Sequence, residues 1–194
     1  MVALSDRIFM TAAEYLTWEP CQEERYEYWD GEVVAMSGAT RNHNRVSLNM
    51  SKLLDDALVN RPCEVYMVDV KVQVAPGRKY FYPDVVVTCD ERDKDPRFVQ
   101  FPTLIVEMLS PSTEAIDRGI KFAHYRKFTA LREYVLVQVD QPGVEVFRRN
   151  AQGQWVLSEY TLEDRLCIES LNVEISVADL YRQVTFETSD AESV

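Results

Sequence analysis

Long hydrophobic runs are missing from this sequence. Its longest apolar stretches, Asp84 to Cys89 and Leu104 to Val106, last only a few residues, whereas a helix needs ~20 to cross a bilayer. No membrane span is expected. The N-terminus carries Asp6 and Arg7 but no basic segment leading into an apolar stretch and a small-residue cleavage site, so no secretory leader is expected and the cytoplasm is the default location. Cysteine is sparse as well. Cys21, Cys63, Cys89 and Cys167 form no CxxC pair, and no histidine stands at zinc-finger spacing, so buried reduced thiols are the expectation. Positive charge is in deficit: the formal net charge is -11. That excludes a protein that coats nucleic acid by bulk attraction, because phosphate binding rests on clustered lysine and arginine. One segment goes the other way, with Arg118, Lys121, Arg126, Lys127 and Arg132 and no acidic residue among them. Such runs are usually solvated helix faces; here it is the one candidate for a local basic surface. Internal repeats and low-complexity blocks are absent too.

What is present suits one domain. A chain of 194 residues with 46% hydrophobic content can bury one sizeable core, which we place over residues 1–187, with an acidic tail over 188–194. Thr11 followed by Glu14 has capping-box spacing and predicts a short helix from Thr11 that stops before Pro20. Asp30-Gly31 between Arg25–Trp29 and Glu32–Met36 predicts a tight hairpin. Val46, Met50, Leu53, Leu54, Ala57 and Leu58 recur at helical steps between Asn42 and Val59. Alternation from Glu64 to Val74 predicts one or two strands, and the nearly continuous apolar runs Tyr82–Thr88 and Thr103–Leu109 read as strands covered on both faces. A helix over Ala115–Thr129 should follow, then strands at Tyr134–Val139, Val144–Phe147 and Trp155–Tyr160 and a short helix at Val177–Tyr181. The mixture predicts an α/β (α+β) fold: a central mixed β-sheet flanked by helices, with an N-terminal helix and hairpin.

Each of the two apolar runs holds one carboxylate, Asp84 in the first and Glu107 in the second. An unpaired charge inside a buried strand costs several kcal/mol in effective penalty, at the order-of-magnitude level. Two such carboxylates on adjacent strands would repel, and the usual remedies are a shared proton, a basic partner or a divalent cation. Oxygen ligands suit a hard cation such as Mg²⁺. Lys121 lies in the next helix, at the edge of an expected apolar stripe of Ile120, His124, Phe128 and Leu131, from where its ammonium can point back to the sheet. A lone lysine there more often snorkels to solvent; the case rests on the three residues together.

The ordered series Pro83-Asp84, then Glu107 in Ile-Val-Glu-Met-Leu-Ser-Pro-Ser-Thr, then Asp117-Arg-Gly-Ile-Lys121-Phe-Ala-His-Tyr125 resembles the Uma-two family of bacterial endonuclease-like proteins, within the PD-(D/E)XK restriction-endonuclease-like superfamily. The likeness runs from Met10 to about Tyr181. It implies a restriction-endonuclease-like core in which Asp84 and Glu107 ligate Mg²⁺ or Mn²⁺, joined by the Met108 carbonyl, and Lys121 serves as the catalytic lysine. Leu109 stands where the superfamily usually has that lysine, two residues beyond Glu107, and the resemblance moves the role to Lys121. Glu27 matches an N-terminal glutamate of the family; a solvent-facing place in the hairpin is the competing account. His43 could contact a phosphate at a helix start or act as a base, or simply cap. Tyr125, one turn beyond Lys121, could touch substrate, although most such tyrosines pack. Ser110, Ser112 and Thr113 shape a turn, Trp18, Trp29 and Trp155 are assigned to core or interface, and Asp69 with Lys71 is expected to be a solvent-exposed pair.

The activity implied is metal-dependent hydrolysis of DNA phosphodiester bonds. A non-catalytic binding or assembly module on the same fold is the alternative, and a small phosphorylated metabolite is a third, weaker substrate class. Cutting both strands of a duplex calls for two centres related by a two-fold axis, so a homodimer is expected.

Overall fold

A computed structural model describes residues 7–186; the tail expected over 188–194 lies outside the described residues. Strand β1 (Ile8–Phe9) leads into α1 (Ala12–Trp18), where the Thr11 hydroxyl accepts from the Glu14 amide and the Glu14 carboxylate accepts from the Thr11 amide, the reciprocal capping box. The turn Glu19–Cys21 holds Pro20 and ends the helix. Strands β2 (Tyr26–Trp29) and β3 (Glu32–Ala35) pair about Asp30 and Gly31, whose φ values of 51° and 110° are the positive pair that a type I′ turn demands. Helix α2 (Arg41–Leu58) starts where Thr40 caps the His43 amide.

Then come β4 (Glu64–Met67), β5 (Lys71–Ala75), β6 (Lys79–Phe81), β7 (Val85–Thr88), β8 (Phe98–Val99) and β9 (Pro102–Leu109). One continuous helical stretch follows, made of α3 (Glu114–Ile116), a π-helical turn (Asp117–Lys121) and α4 (Phe122–Tyr125). The chain closes with β10 (Glu133–Gln138), β11 (Val144–Arg149), β12 (Trp155–Tyr160), β13 (Arg165–Ile168), β14 (Val173–Ser176) and α5 (Val177–Leu180).

The central sheet has the order β12-β11-β10-β9-β7-β4, with β9 and β10 parallel and the other neighbours antiparallel. A second sheet runs β1-β3-β2-β6-β5-β8, and β13 and β14 form a separate hairpin. The mixed α/β architecture is therefore as expected. Period-two alternation along β9 decides what its faces do. Leu104, Val106 and Met108 pack under Val46, Met50 and Leu54 of α2. Ile105 and Leu109 pack on the other face with Tyr125, Leu131 and Phe81. Glu107 shares that second face, and this is why a carboxylate in the sheet meets the helix that follows.

Several expectations are corrected. The strand expected over Tyr82–Thr88 begins at Val85, so Asp84 stands one residue ahead of it, at its mouth rather than inside. The helix expected to Thr129 ends at Tyr125 and carries the π turn, whose extra residue shifts its phase. Ile120, placed on the apolar stripe, is 53% exposed, and the inward face is Asp117, Lys121 and Tyr125 instead. Lys71 and Asp69 are not an exposed pair: Lys71 is buried, donates to Glu19 and lies against the Tyr15 and Tyr82 rings, while Asp69 pairs with Arg25. The thiols are not uniformly buried and reduced. Cys63 and Cys89 continue the β4–β7 register, which sets them opposite each other, and they form a disulfide; Cys21 is exposed and Cys167 half-buried. Among the described residues no helix is long and apolar enough to cross a membrane.

Candidate active site

The face of the central sheet under α3–α4 brings six acidic and basic side chains to one place. Lys121 Nζ lies 3.1 Å from Glu27 Oε1, 3.3 Å from Glu107 Oε1 and 3.4 Å from Asp117 Oδ1. Tyr125 donates its hydroxyl to the same Glu107 Oε1 at 3.1 Å. The lysine is buried because the π turn presents Asp117 and Lys121 to the sheet together. Strand β2 supplies Glu27, whose carboxylate also accepts from the Trp29 indole and from the Tyr82 amide. Asp84 sits beside this cluster: its Oδ2 accepts from the Met108 amide at 2.7 Å, next to Glu107, and its Oδ1 is 3.2 Å from His43 Nε2. Asp84 and His43 are the more exposed members, with side chains 16% and 18% accessible, so solvent reaches the centre from their side.

The electrostatics follow from burial and crowding. Burial pushes the Glu107 carboxyl well above the ordinary value, against the pull of Lys121, and the charges of Asp117, Asp84 and Glu27 push the same way. Burial also raises Asp117, with Lys121 and a hydrogen bond from Thr113 opposing it. For Lys121, burial alone would lower the value. The surrounding Glu107, Glu27 and Asp117 outweigh it and hold the ammonium well above the ordinary lysine range. His43 is raised in the same manner, burial being overcome by its hydrogen bond to Asp84 and by the charges of Asp84 and Asp117.

All six residues singled out in the sequence thus meet: Asp84, Glu107 and Lys121 at the centre, Glu27 against the lysine, His43 against Asp84, and Tyr125 against Glu107. Tyr125 is fully buried and touches Glu107, and Glu27 is buried rather than solvent-facing in its hairpin. Sequence reading passed over Asp117. Its signal was the polar i, i+4, i+8 series Asp117, Lys121, Tyr125 on an otherwise ordinary helix. Tyr134, which donates to the Asp117 carbonyl, gave no signal at all.

Does this set of residues fit a cation? Among the described residues no three acidic, histidine or cysteine side chains already converge as a metal cluster. The donor chemistry nonetheless fits a hard divalent ion. Glu27, Asp84, Glu107 and Asp117 face one lysine and one histidine, leaving a surplus of negative charge. Both Lys121 and Tyr125 engage Glu107 Oε1, and among the described residues no hydrogen bond reaches its Oε2. Asp117 Oδ1 is buried with its ion pair to Lys121 and no hydrogen bond besides. Asp84 and Glu107 are the residues that would hold the ion.

The comparisons with known proteins concern family and fold. The Uma2 family model, described as "Putative restriction endonuclease", matches residues 12–179. Two proteins of Synechocystis sp. (strain ATCC 27184 / PCC 6803 / Kazusa), both described as uncharacterized, are similar along most of their length. One, slr1290, is 39% identical over 178 residues, covering 91% of this chain and 94% of its own. The other, sll1609, is 36% identical over 162 residues, covering 82% and 92%. A crystal structure from Anabaena variabilis ATCC 29413, described as "a putative nuclease belonging to DUF820", superposes with a TM-score of 0.73 over 91% of this chain and 99% of that one. At 17% identity that likeness speaks to fold.

Proposed function

Because the chain belongs to the Uma2 family of restriction-endonuclease-like proteins, we propose that it hydrolyses DNA phosphodiester bonds at the Asp84–Glu107–Lys121 centre, with Mg²⁺ or Mn²⁺ as its cofactor. The observation that carries the reading is the buried ammonium of Lys121 set among Glu27, Glu107 and Asp117 beside Asp84. A structural ion pair needs one carboxylate; four in one cluster leave charge for a cation to offset.

Bound by Asp84 and Glu107, the cation would supply a water of lowered pKa and offset charge on the scissile phosphate. The protein's own groups then have distinct tasks. Lys121 is held protonated, so it orients the attacking water and steadies negative charge on a phosphate oxygen rather than taking a proton. Tyr125 fixes Glu107 Oε1, so that Oε2 would be the oxygen left to hold a cation. Glu27 and Asp117 hold the lysine in register. His43, on the solvent side of Asp84, is placed to meet an incoming phosphate. Cleavage of both strands would use two copies of the chain about a two-fold axis.

Calorimetric titration with Mn²⁺ separates this reading from a non-catalytic module on the same fold, for which the self-paired lysine cluster is the motivating observation. The nuclease reading expects one saturable site in the wild type that is lost in Asp84→Asn and Glu107→Gln, with thermal stabilisation by Mn²⁺ lost in parallel. A wild type that takes up no Mn²⁺ and gains no stability from it refutes the reading.

A further inference from the structure

A second polar region lies at the opposite end of the central sheet. A cavity of about 890 Å³ opens there, with Thr103, Arg132, Arg148 and Arg149 among its lining residues. Thr103 and Glu107 share a face of β9 and are four residues apart, ~13 Å at the usual rise per residue.

The arginines of this cavity are not equivalent. Arg148 is satisfied: it donates to the fully buried Glu133 and to the Cys167 carbonyl, and it pairs with Glu169. Arg92 is likewise taken by Asp90. Arg132 and Arg149 differ. They extend the β10–β11 register, in which Glu133 stands opposite Arg148, and the Arg149 amide donates to the Arg132 carbonyl. They are therefore a directly opposed cross-strand pair of like charge, an arrangement that is destabilising by itself. Among the described residues neither has a carboxylate within ion-pair distance, and the one side-chain hydrogen bond of the two runs from Arg149 to the Phe128 carbonyl. Glu91 is the single acidic residue of the lining without an ion pair. A chain with a net charge of -11 has carboxylates to spare, yet none is placed between these two guanidinium groups.

We propose that this cavity binds a phosphate group between Arg132 and Arg149. Two guanidinium forks offer donors that match the oxygens of a phosphate bidentately, and the anion removes the repulsion that the opposed pair otherwise carries. The phosphate belongs either to a DNA strand that also reaches the carboxylate centre or to a free phosphate or nucleotide. At 3.4 Å of helix axis per phosphate on one strand, the ~13 Å offset corresponds to about four nucleotides. The site stands on the fold and on the arginine pair and does not require the nuclease reading.

The test has two arms, both run in EDTA so that no cleavage enters. Thermal unfolding is followed with inorganic phosphate against chloride of equal ionic strength, for the wild type and for Arg132→Gln, whose side chain is exposed and free of packing duties. Binding of a labelled 20-nucleotide single strand is followed by anisotropy for the wild type and the double variant R132Q/R149Q. Phosphate should raise the wild-type melting temperature and leave R132Q nearly unmoved. Without phosphate, R132Q should melt at or above the wild type, because a like-charge pair has been relieved. The double variant should bind the oligonucleotide roughly tenfold more weakly, with the slope of log K against log salt smaller by about 1.4. If phosphate acts and the oligonucleotide arm is unchanged between proteins, the site stands and its ligand is a free phosphate. Equal stabilisation of wild type and R132Q, no stabilisation of either, or a lower melting point for R132Q without phosphate overturns the proposal.

Discussion

Replacing Lys121 with methionine removes the one cation that Glu27, Glu107 and Asp117 share at 3.1–3.4 Å while preserving most of the side-chain volume. Breaking a buried ion pair from one side costs about 3–5 kcal/mol because the remaining charge is stranded. For a domain of this size each kcal/mol moves the melting temperature by about 2–4 °C, so Lys121→Met should melt roughly 6–20 °C lower at pH 8 without divalent metal. The stranded carboxylates can escape by binding protons, and Glu107 and Asp117 are already raised by burial. The loss should therefore shrink as the pH falls toward 5. Glu107→Gln should behave oppositely. It removes a carboxylate whose charged form burial disfavours, so the metal-free variant should be at least as stable as the wild type at pH 8. Mn²⁺ should recover part of the Lys121→Met loss and none of it in a Glu107→Gln background. Scanning calorimetry of the wild type, the two single variants and the double variant at pH 5 and pH 8, with and without Mn²⁺, reads all of this. A Lys121→Met protein that melts with the wild type at pH 8, or a Glu107→Gln protein that falls as far, would refute the electrostatic account.

The chain has two histidines, and they should titrate on opposite sides of 6.5 by two-dimensional NMR. His43 is raised, since Asp84 outweighs burial, whereas His124 is lowered by burial and by Lys79 and Lys127. The Asp84–His43 pairing accordingly stabilises fully below pH 6.5 and is lost as the pH rises through the folded value; Asp84→Asn should bring the His43 midpoint down. Asp117→Asn should lower kcat for DNA cleavage by about 10²-fold with little change in KM, because it loosens the lysine without touching substrate. A change confined to KM would place Asp117 in binding instead. Tyr125→Phe should cost about 1 kcal/mol in denaturant unfolding for the lost hydrogen bond to Glu107, and a neutral result would mean that this bond contributes nothing.

What could be read from the sequence was whatever local chemistry decides. The Thr11–Glu14 capping box, the Asp30-Gly31 turn and the α2 apolar stripe each depend on residues a few positions apart, and the structure bears them out. The central trio was legible for a similar reason: a carboxylate in an apolar run must have a partner, and the resemblance supplied which lysine. Features that depend on distant segments were not legible. Glu27 was singled out by the resemblance, but its burial was not legible, because by local pattern it is a hairpin surface residue until β6 pairs with β2 and the Tyr82 amide closes on it. Lys71 finds Glu19 only once α1 packs across the second sheet. Cys63 and Cys89 are set opposite by a strand register that no local pattern announces. The π turn misled the helix reading most directly, since an apolar stripe drawn at a constant 100° per residue puts Ile120 inside and Lys121 only at its edge, whereas Ile120 is exposed and Lys121 is buried.

The measurement that bears most directly on the central claim is cleavage of supercoiled plasmid and of single-stranded DNA in Mg²⁺ or Mn²⁺ by the wild type, Asp84→Ala, Glu107→Ala and Lys121→Ala, with circular dichroism confirming that each is folded. The account predicts nicked or linear products from the wild type, none in EDTA and none from the three variants. A folded wild type that is inert with both metals on both substrates, or variants that cut as well as it does, would contradict it.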